Sequence, residues 1–186
     1  MRADAQRNRD RLLASAVRAF SQEGPDVTLD AIAKEAGVGI GTLYRHFPTR
    51  EALIEAAYRN ELARLCDAAA QLGESLPPDA ALREWMDRFL DYMRTKRGMA
   101  DALRVVIASG ADPFAESRAR MVAATAELLG GGAGAGVIRD DVEPEDVMAS
   151  LSGISLAAGA PEQQQQAERL LDLLMDGLRR TDRSRR

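Results

Sequence analysis

The stretch that most constrains the fold is residues 28–54, TLDAIAKEAGVGIGTLYRHFPTREALI. Its first part repeats apolar residues at the spacing of one helix face: Leu29, Ile32, Ala33 and Ala36. Thr28 stands where an N-cap hydroxyl is needed, and Gly37 tolerates the positive φ with which a short helix ends. The pattern predicts a helix from about Leu29 to Ala36, followed by a tight turn.

A second short helix is predicted from about Ile40 to Phe47. Its inner face would carry Ile40, Leu43 and Phe47. The outward residues would be Thr42, Arg45 and His46, with Tyr44 at the margin. Pro48 ends this helix and Thr49 caps a longer one. Two short helices crossing at a tight turn are the geometry that places a helix in a DNA groove.

These motifs resemble the tetracycline-repressor (TetR) family of regulators. The resemblance rests on an apolar helix that ends at Phe20–Gly24, then TLDAIAKEAGV, GTLYRHF and PTREAL. It covers about the first third of the chain closely, and the remainder matches the family as an all-helical half. One departure is Arg50, where the family more often has lysine. Both side chains can contact phosphate.

The resemblance implies a set of DNA-binding residues: Thr28, Gly41, Thr42, Tyr44, Arg45, His46 and Arg50. Thr28 and Arg50 would anchor the DNA backbone from helix N-termini, and the others would meet base edges or phosphates. Alternatives stay open for two of them, since Tyr44 could be a half-buried core aromatic and His46 a surface residue that finishes its helix. The arginines at positions 2, 7, 9 and 11 could reach phosphates or belong to a disordered arm.

The composition favours an all-α fold, because helix formers dominate and aromatic residues make up only 4% of the chain. We predict an N-terminal three-helix helix-turn-helix head (residues 1–48), a helical ligand-binding and dimerisation bundle entered through a connector helix (49–180), and a basic tail (181–186). The formal net charge is −4, but residues 1–50 carry 8 Lys/Arg against 6 Asp/Glu, a net of +2. This charge distribution directs the head toward phosphates.

The remaining helices follow the apolar periodicity. They are predicted at about residues 5–23, 50–72, 80–96, 99–108, 114–129, 144–158 and 161–180. Between two of them lies GGGAGAG, residues 130–136. Each glycine costs a helix up to about 1 kcal/mol relative to alanine, so we expect fraying or a flexible loop there.

The last two helices carry a candidate dimer interface. Its residues are Val147, Leu151, Ile154, Leu170, Leu174 and Leu178. Small neighbours such as Gly153 would let two helices approach closely. The alternative is that both helices pack only on their own chain. With the resemblance, the pattern favours a two-fold four-helix interface, and hence a homodimer that reads a palindromic site.

A candidate ligand pocket combines aromatic and methionine side chains, which adapt to apolar small molecules. Its residues are Trp85, Phe89, Tyr92, Met93, Leu103, Phe114 and Met121. The alternative is an ordinary core, since the same residues recur at helical spacing. In the family, such a ligand alters the distance between the two heads, so ligand and operator would weaken each other's binding equally.

An enzyme is disfavoured because the chain has one histidine and one cysteine and lacks the P-loop, G-x-S-x-G and H-E-x-x-H motifs. We expect no cofactor and no metal. The single Cys66 suits a reducing cytoplasm, and no apolar run approaches the roughly 18 residues of a membrane span. The predicted function is a ligand-responsive, homodimeric DNA-binding repressor. The alternative is a helical protein-interaction module without specific DNA binding.

Overall fold

The structure is a computed structural model that describes residues 2–180, and within that range it is built from helices, confirming the all-α prediction. The helices are α1 Arg2–Gln22, α2 Leu29–Glu35, α3 Ile40–His46, α4 Arg50–Ser75, α5 Pro78–Gly98, α6 Ala100–Ala108, α7 Ser117–Gly134, α8 Pro144–Ala157 and α9 Gln164–Leu178, with a 3-10 turn at Pro161–Gln163 before α9. The predicted basic tail, residues 181–186, lies outside the described residues.

The chain forms two compact units. The head unit comprises the residues up to Leu62 together with Thr95–Ala115, and the body unit comprises Ala63–Arg94 together with the residues from Glu116 onward. Helices α4 and α5 each contribute to both units. The units therefore divide the chain differently from the predicted boundary at residue 48, because the end of α5 and all of α6 belong with the head.

The core of the head unit is formed by apolar faces of α1 to α4. Its fully buried members include Leu12 and Phe20 from α1, Ile32 from α2, Leu43 from α3 and Leu53 from α4. The end of α5 joins this core at a close approach. A Cβ atom on Gly98 would lie 2.9 Å from the Ser21 Cβ of α1, closer than such atoms normally come, so only glycine fits there without a shift.

The core of the body unit is built on the apolar faces of α5, α8 and α9. Its buried members include Trp85, Met86, Phe89, Val147, Leu151, Leu171 and Met175. The indole Nε1 of Trp85 donates a hydrogen bond of 2.9 Å to the carbonyl oxygen of Leu65. The one polar atom of this large side chain is thereby satisfied inside the core.

The prediction of a loop at residues 130–136 was wrong for its first five positions, because α7 continues to Gly134. Tertiary packing overrides the weak helix propensity of glycine. A Cβ atom on Gly132 would lie 2.4 Å from Ile138 Cγ1, and Ile138 itself is 1% exposed. The glycine thus forms the hollow that receives Ile138. Arg139 N and Arg180 N then bond Leu178 O and Val137 O at 2.9 and 3.0 Å, tying the end of α9 to this segment.

Candidate nucleic-acid interface

The first helix of the predicted pair begins and ends as its sequence indicates. The Thr28 hydroxyl accepts a hydrogen bond of 3.1 Å from Ala31 N, so it caps α2. Gly37 has a φ of 65°. Val38 N then donates to Ala33 O at 3.0 Å, closing the turn. Cap and turn together fix the angle at which α3 leaves α2.

Helix α3 presents a mixed polar surface. Tyr44 is 50% exposed and Arg45 is also exposed, while Thr42 and His46 are half-buried. Half of the Tyr44 side chain is therefore open to solvent at the surface of α3. On the inner side, Leu43 is buried, as is the C-cap Phe47. The outer surface thus offers a phenol and a guanidinium, both able to bond base edges or phosphates.

Ile40 is a correction to the predicted inner face. Its side chain is 38% exposed, at the first position of α3. Its neighbour Gly41 is exposed, and a Cβ atom there would meet nothing within 4 Å. Ile40 and Gly41 therefore present an apolar side chain and bare backbone at the start of the helix. The periodicity assigned Ile40 to the core and so missed it as a surface residue.

Arg50 has contacts that differ from the phosphate anchor predicted for it. Its Nη1 donates to Pro25 O and its Nη2 to Val27 O, both at 2.6 Å. Its Cζ lies 5.8 Å from the centroid of the Phe20 ring. The guanidinium therefore joins the start of α4 to the loop before α2. Lysine, with one nitrogen, could not bridge the two carbonyls in this fork-like manner.

The arginines at the start of the chain lie on α1 rather than in a disordered arm. The Arg7 guanidinium pairs with Asp4, and Arg11 Nη2 donates to Asn8 Oδ1 at 2.5 Å. Arg9 instead lies over an aromatic ring, its Cζ 5.6 Å from the centroid of Phe47. Helical order thus places these cations at defined positions beside the helix-turn-helix.

The predicted dimer residues fall into two groups. Val147, Leu151 and Leu178 are buried within the chain, so they belong to the body core. The others, Ile154, Leu170 and Leu174, are half-buried. Two leucines outside the predicted set are far more exposed, Leu156 at 80% and Leu173 at 67%. Helical periodicity did not single them out, because it does not tell which apolar face of a helix meets the core of its own chain.

The predicted ligand residues are divided between the two units. Trp85, Phe89 and Tyr92 are buried in the body unit, where Met93 and Met121 are half-buried. Leu103 and Phe114 belong to the head unit. There the Phe114 ring meets Tyr58 edge-on at 5.3 Å, and Lys96 Nζ lies 4.4 Å from its centroid. Burial in this apolar setting lowers the pKa of Lys96.

A polar groove of about 370 Å³ lies between α5 and α9 in the body unit. Its charges are largely paired. Arg83 bonds Asp172 at 3.1 Å and also bonds Asp87, Arg94 pairs with Asp91, and Gln164 bonds Glu168 at 3.1 Å. Burial disfavours the charge of Arg83, yet its pKa is raised because the two aspartates outweigh that effect. The groove thus differs in chemistry from the predicted apolar pocket.

Within residues 2–180, no three His, Cys, Asp or Glu side chains are grouped so as to hold a metal ion. No helix there has the length and apolar character needed to cross a membrane.

Comparison with known proteins agrees with a helix-turn-helix DNA-binding protein. Residues 12–57 match the family profile described as bacterial regulatory proteins, tetR family, and residues 77–180 match that of the SbtR-like transcriptional regulator C-terminal domain. A TetR transcriptional regulator from Streptomyces coelicolor is 59% identical, with a TM-score of 0.89 over 93% of this chain and 99% of that one. A TetR regulatory protein from Mycobacterium vanbaalenii is 35% identical, with a TM-score of 0.79 over 96% and 99% of the two chains.

A curated relative, an HTH-type transcriptional regulator of Staphylococcus aureus (strain USA300), is 41% identical over 63 residues. That match spans 33% of this chain and only 34% of the relative's length. The profile for the second half of the chain and the two similar structures extend the agreement over nearly the whole sequence. The chain belongs to the TetR family of transcriptional regulators, and α2 and α3 are its DNA-binding helix-turn-helix.

Proposed function

We propose that this regulator binds a palindromic operator as a homodimer, represses transcription there, and is released by a small molecule. Each head would insert α3 into the major groove, so two heads related by a two-fold axis would read two half-sites. Thr42, Tyr44, Arg45 and His46 would contact bases or phosphates. Gly41 would let the DNA approach the backbone, and the exposed Ile40 adds an apolar group that suits a thymine methyl.

The observation that carries the homodimer is the pair of exposed leucines on the last two helices. Leu156 and Leu173 are 80% and 67% exposed. Leucines this open are costly to leave in water, and on α9 Leu173 lies one turn from the half-buried Leu170. A second copy of the chain, presenting the same helices, would cover them in an isologous interface.

A mobility-shift titration tests the DNA-binding part of the proposal. A fluorescent duplex from the region upstream of the chain's own gene is titrated with protein at several salt concentrations, with excess nonspecific DNA present. We expect competitor-resistant binding, a steep negative salt dependence and two chains per site. Tyr44→Ala combined with Arg45→Ala should abolish the specific complex. If competitor DNA also abolished binding to every duplex obtained by selection from random sequences, the result would contradict operator recognition.

The proposal that a small molecule releases the protein from DNA rests on the family and on the aromatic cluster of the body unit. The chain has one tryptophan, Trp85, which is fully buried beside Phe89, with ring centroids 6.0 Å apart. Its fluorescence can therefore report an apolar probe such as 1-anilinonaphthalene-8-sulfonate. We expect saturable quenching together with a matching loss of duplex affinity, because linkage is reciprocal. Saturable quenching that leaves duplex affinity unchanged would contradict a coupled ligand site.

We infer no catalytic activity and no cofactor for this regulator. The support is the class of its relatives, which are transcriptional regulators. Its proposed location is the bacterial cytoplasm, where operator DNA lies.

A further inference from the structure

Arg9 is an arginine on α1 with an unusual set of contacts. Its guanidinium carbon lies 5.6 Å from the centroid of the Phe47 ring, and the ring of His46 lies 6.1 Å from the same centroid. Phe47 is buried at the end of α3. The stacking thus holds a cation beside the C-terminal end of α3, the proposed recognition helix.

Arg9 differs from the other arginines of α1 in its partners. The other α1 arginines with described side chains have polar partners, since Arg7 pairs with Asp4, Arg11 bonds Asn8 and Arg18 bonds Glu35 at 2.8 Å. Within residues 2–180, no carboxylate pairs with Arg9. Stacking over a ring leaves the N–H donors of a guanidinium free for an oxygen ligand.

The corner next to Arg9 is where a phosphate is expected. Phe47 is followed by Pro48 and then by Thr49, whose hydroxyl accepts a 3.1 Å hydrogen bond from Ala52 N and caps α4. A helix lying in the major groove runs between two phosphate backbones, and the cation or helix end beside it fixes its position. Arg50 is occupied here by the carbonyl oxygens of Pro25 and Val27.

We propose that Arg9 binds a phosphate of the DNA backbone and thereby positions the recognition helix. Arg50, in contrast, joins the start of α4 to the loop before α2. The ligand is a phosphodiester oxygen, so the contact adds affinity without reading sequence. This inference rests on DNA binding by the helix-turn-helix and adds one contact to it.

The test is the salt dependence of duplex binding by Arg9→Met, a change that keeps the stem over Phe47 and removes the charge. The slope of log affinity against log salt should become less negative by about one per head, on a mixed-sequence duplex and on the upstream duplex alike. Arg9→Lys should restore the slope. Arg18→Met is the matched control, because it removes the same charge from the other end of α1 and should leave the slope as in the wild type.

A wild-type slope for Arg9→Met would overturn the proposal. Thermal unfolding checks that the variants are folded, and if methionine lowers the melting temperature, Arg9→Gln replaces it in the same comparison. A wild-type protein that shows no salt-dependent binding to either duplex would instead remove the DNA-binding function on which the inference rests. The two failures are thus distinguishable.

Discussion

At the scale of single residues, Arg50 shows how one side chain can change its expected role through its contacts. An arginine or lysine at the start of the helix that follows a recognition helix typically binds a phosphate of the DNA backbone. In this protein the guanidinium donates to two backbone carbonyls and lies against Phe20. It therefore positions the loop that carries the Thr28 cap, and we expect its main contribution to be to the stability of the head.

Replacing Arg50 with lysine should reduce the stability of the head and leave DNA binding unchanged. A hydrogen bond from a charged group contributes about 1.5–3 kcal/mol, and lysine can satisfy at most one of the two carbonyls well. We expect the free energy of unfolding of Arg50→Lys to fall by about 1–3 kcal/mol in urea titration. Because lysine keeps the positive charge, the phosphate role is tested with Arg50→Met, which removes it. The salt slope of duplex binding by folded Arg50→Met should stay at the wild-type value, and a slope less negative by about one per head would restore the phosphate role.

Cys66 permits a prediction of pH dependence. Burial raises the pKa of its thiol, Asp67 raises it further, and Arg120 opposes both. Because the thiolate is the nucleophile, a raised pKa leaves less of it at a given pH. Alkylation by iodoacetamide at mildly alkaline pH should be slower in the folded protein than in urea, and should still be rising with pH where the unfolded protein has levelled off. Equal rates at all pH values would contradict it.

At the scale of elements, helix α7 shows that glycines can form a helix when a neighbour requires their small size. Gly132 leaves space for Ile138, whereas a Cβ on the adjacent Gly131 would meet nothing within 4 Å. Both residues lie inside α7. They therefore separate the effect of packing from that of helix propensity.

Alanine at these two positions should have opposite effects. Gly132→Ala should destabilise the protein by about 1–3 kcal/mol, because the new methyl group overlaps Ile138. Gly131→Ala, the matched control, should stabilise it by up to about 1 kcal/mol through helix propensity. Melting temperatures of the two variants and the wild type, measured side by side, test this prediction. If both variants were stabilised, the close contact with Ile138 would not be important in solution.

At the scale of the whole molecule, the proposed homodimer depends on the exposed leucines of α8 and α9. A charge at a buried interface without a partner is strongly unfavourable, whereas at an exposed position it costs little. Leu173 is exposed in the single chain, so its replacement should affect assembly and not folding.

The molar mass measured by light scattering, as the protein elutes from a size-exclusion column, should therefore be that of a dimer for the wild type and of a monomer for Leu173→Glu. Gln165→Glu is the matched control: it lies on the same helix, is exposed, gains the same charge and should remain dimeric. Circular dichroism should be the same for all three. A monomeric wild type, or a Leu173→Glu protein that stays dimeric, would contradict an interface through this face.

Much of the fold could be predicted because it follows from local rules. Apolar spacing, the Thr28 cap, Gly37 and Pro48 located the helix-turn-helix within one or two residues. These signals act over a few residues, so the sequence displays them directly. The family resemblance extended this agreement from helices to the class of protein, which the comparisons then confirmed.

The remaining features depend on residues far apart in the chain. Caps, turns and periodicity act locally, so they were sufficient to predict an all-helical protein in which α2 and α3 form a DNA-binding pair. The contacts of Arg50 with Pro25 and Val27, and the continuation of a helix through Gly132 to receive Ile138, depend on the tertiary structure. It also decided which leucines face solvent. Periodicity specifies a helix face, but the neighbours that pack against that face are set by the whole fold.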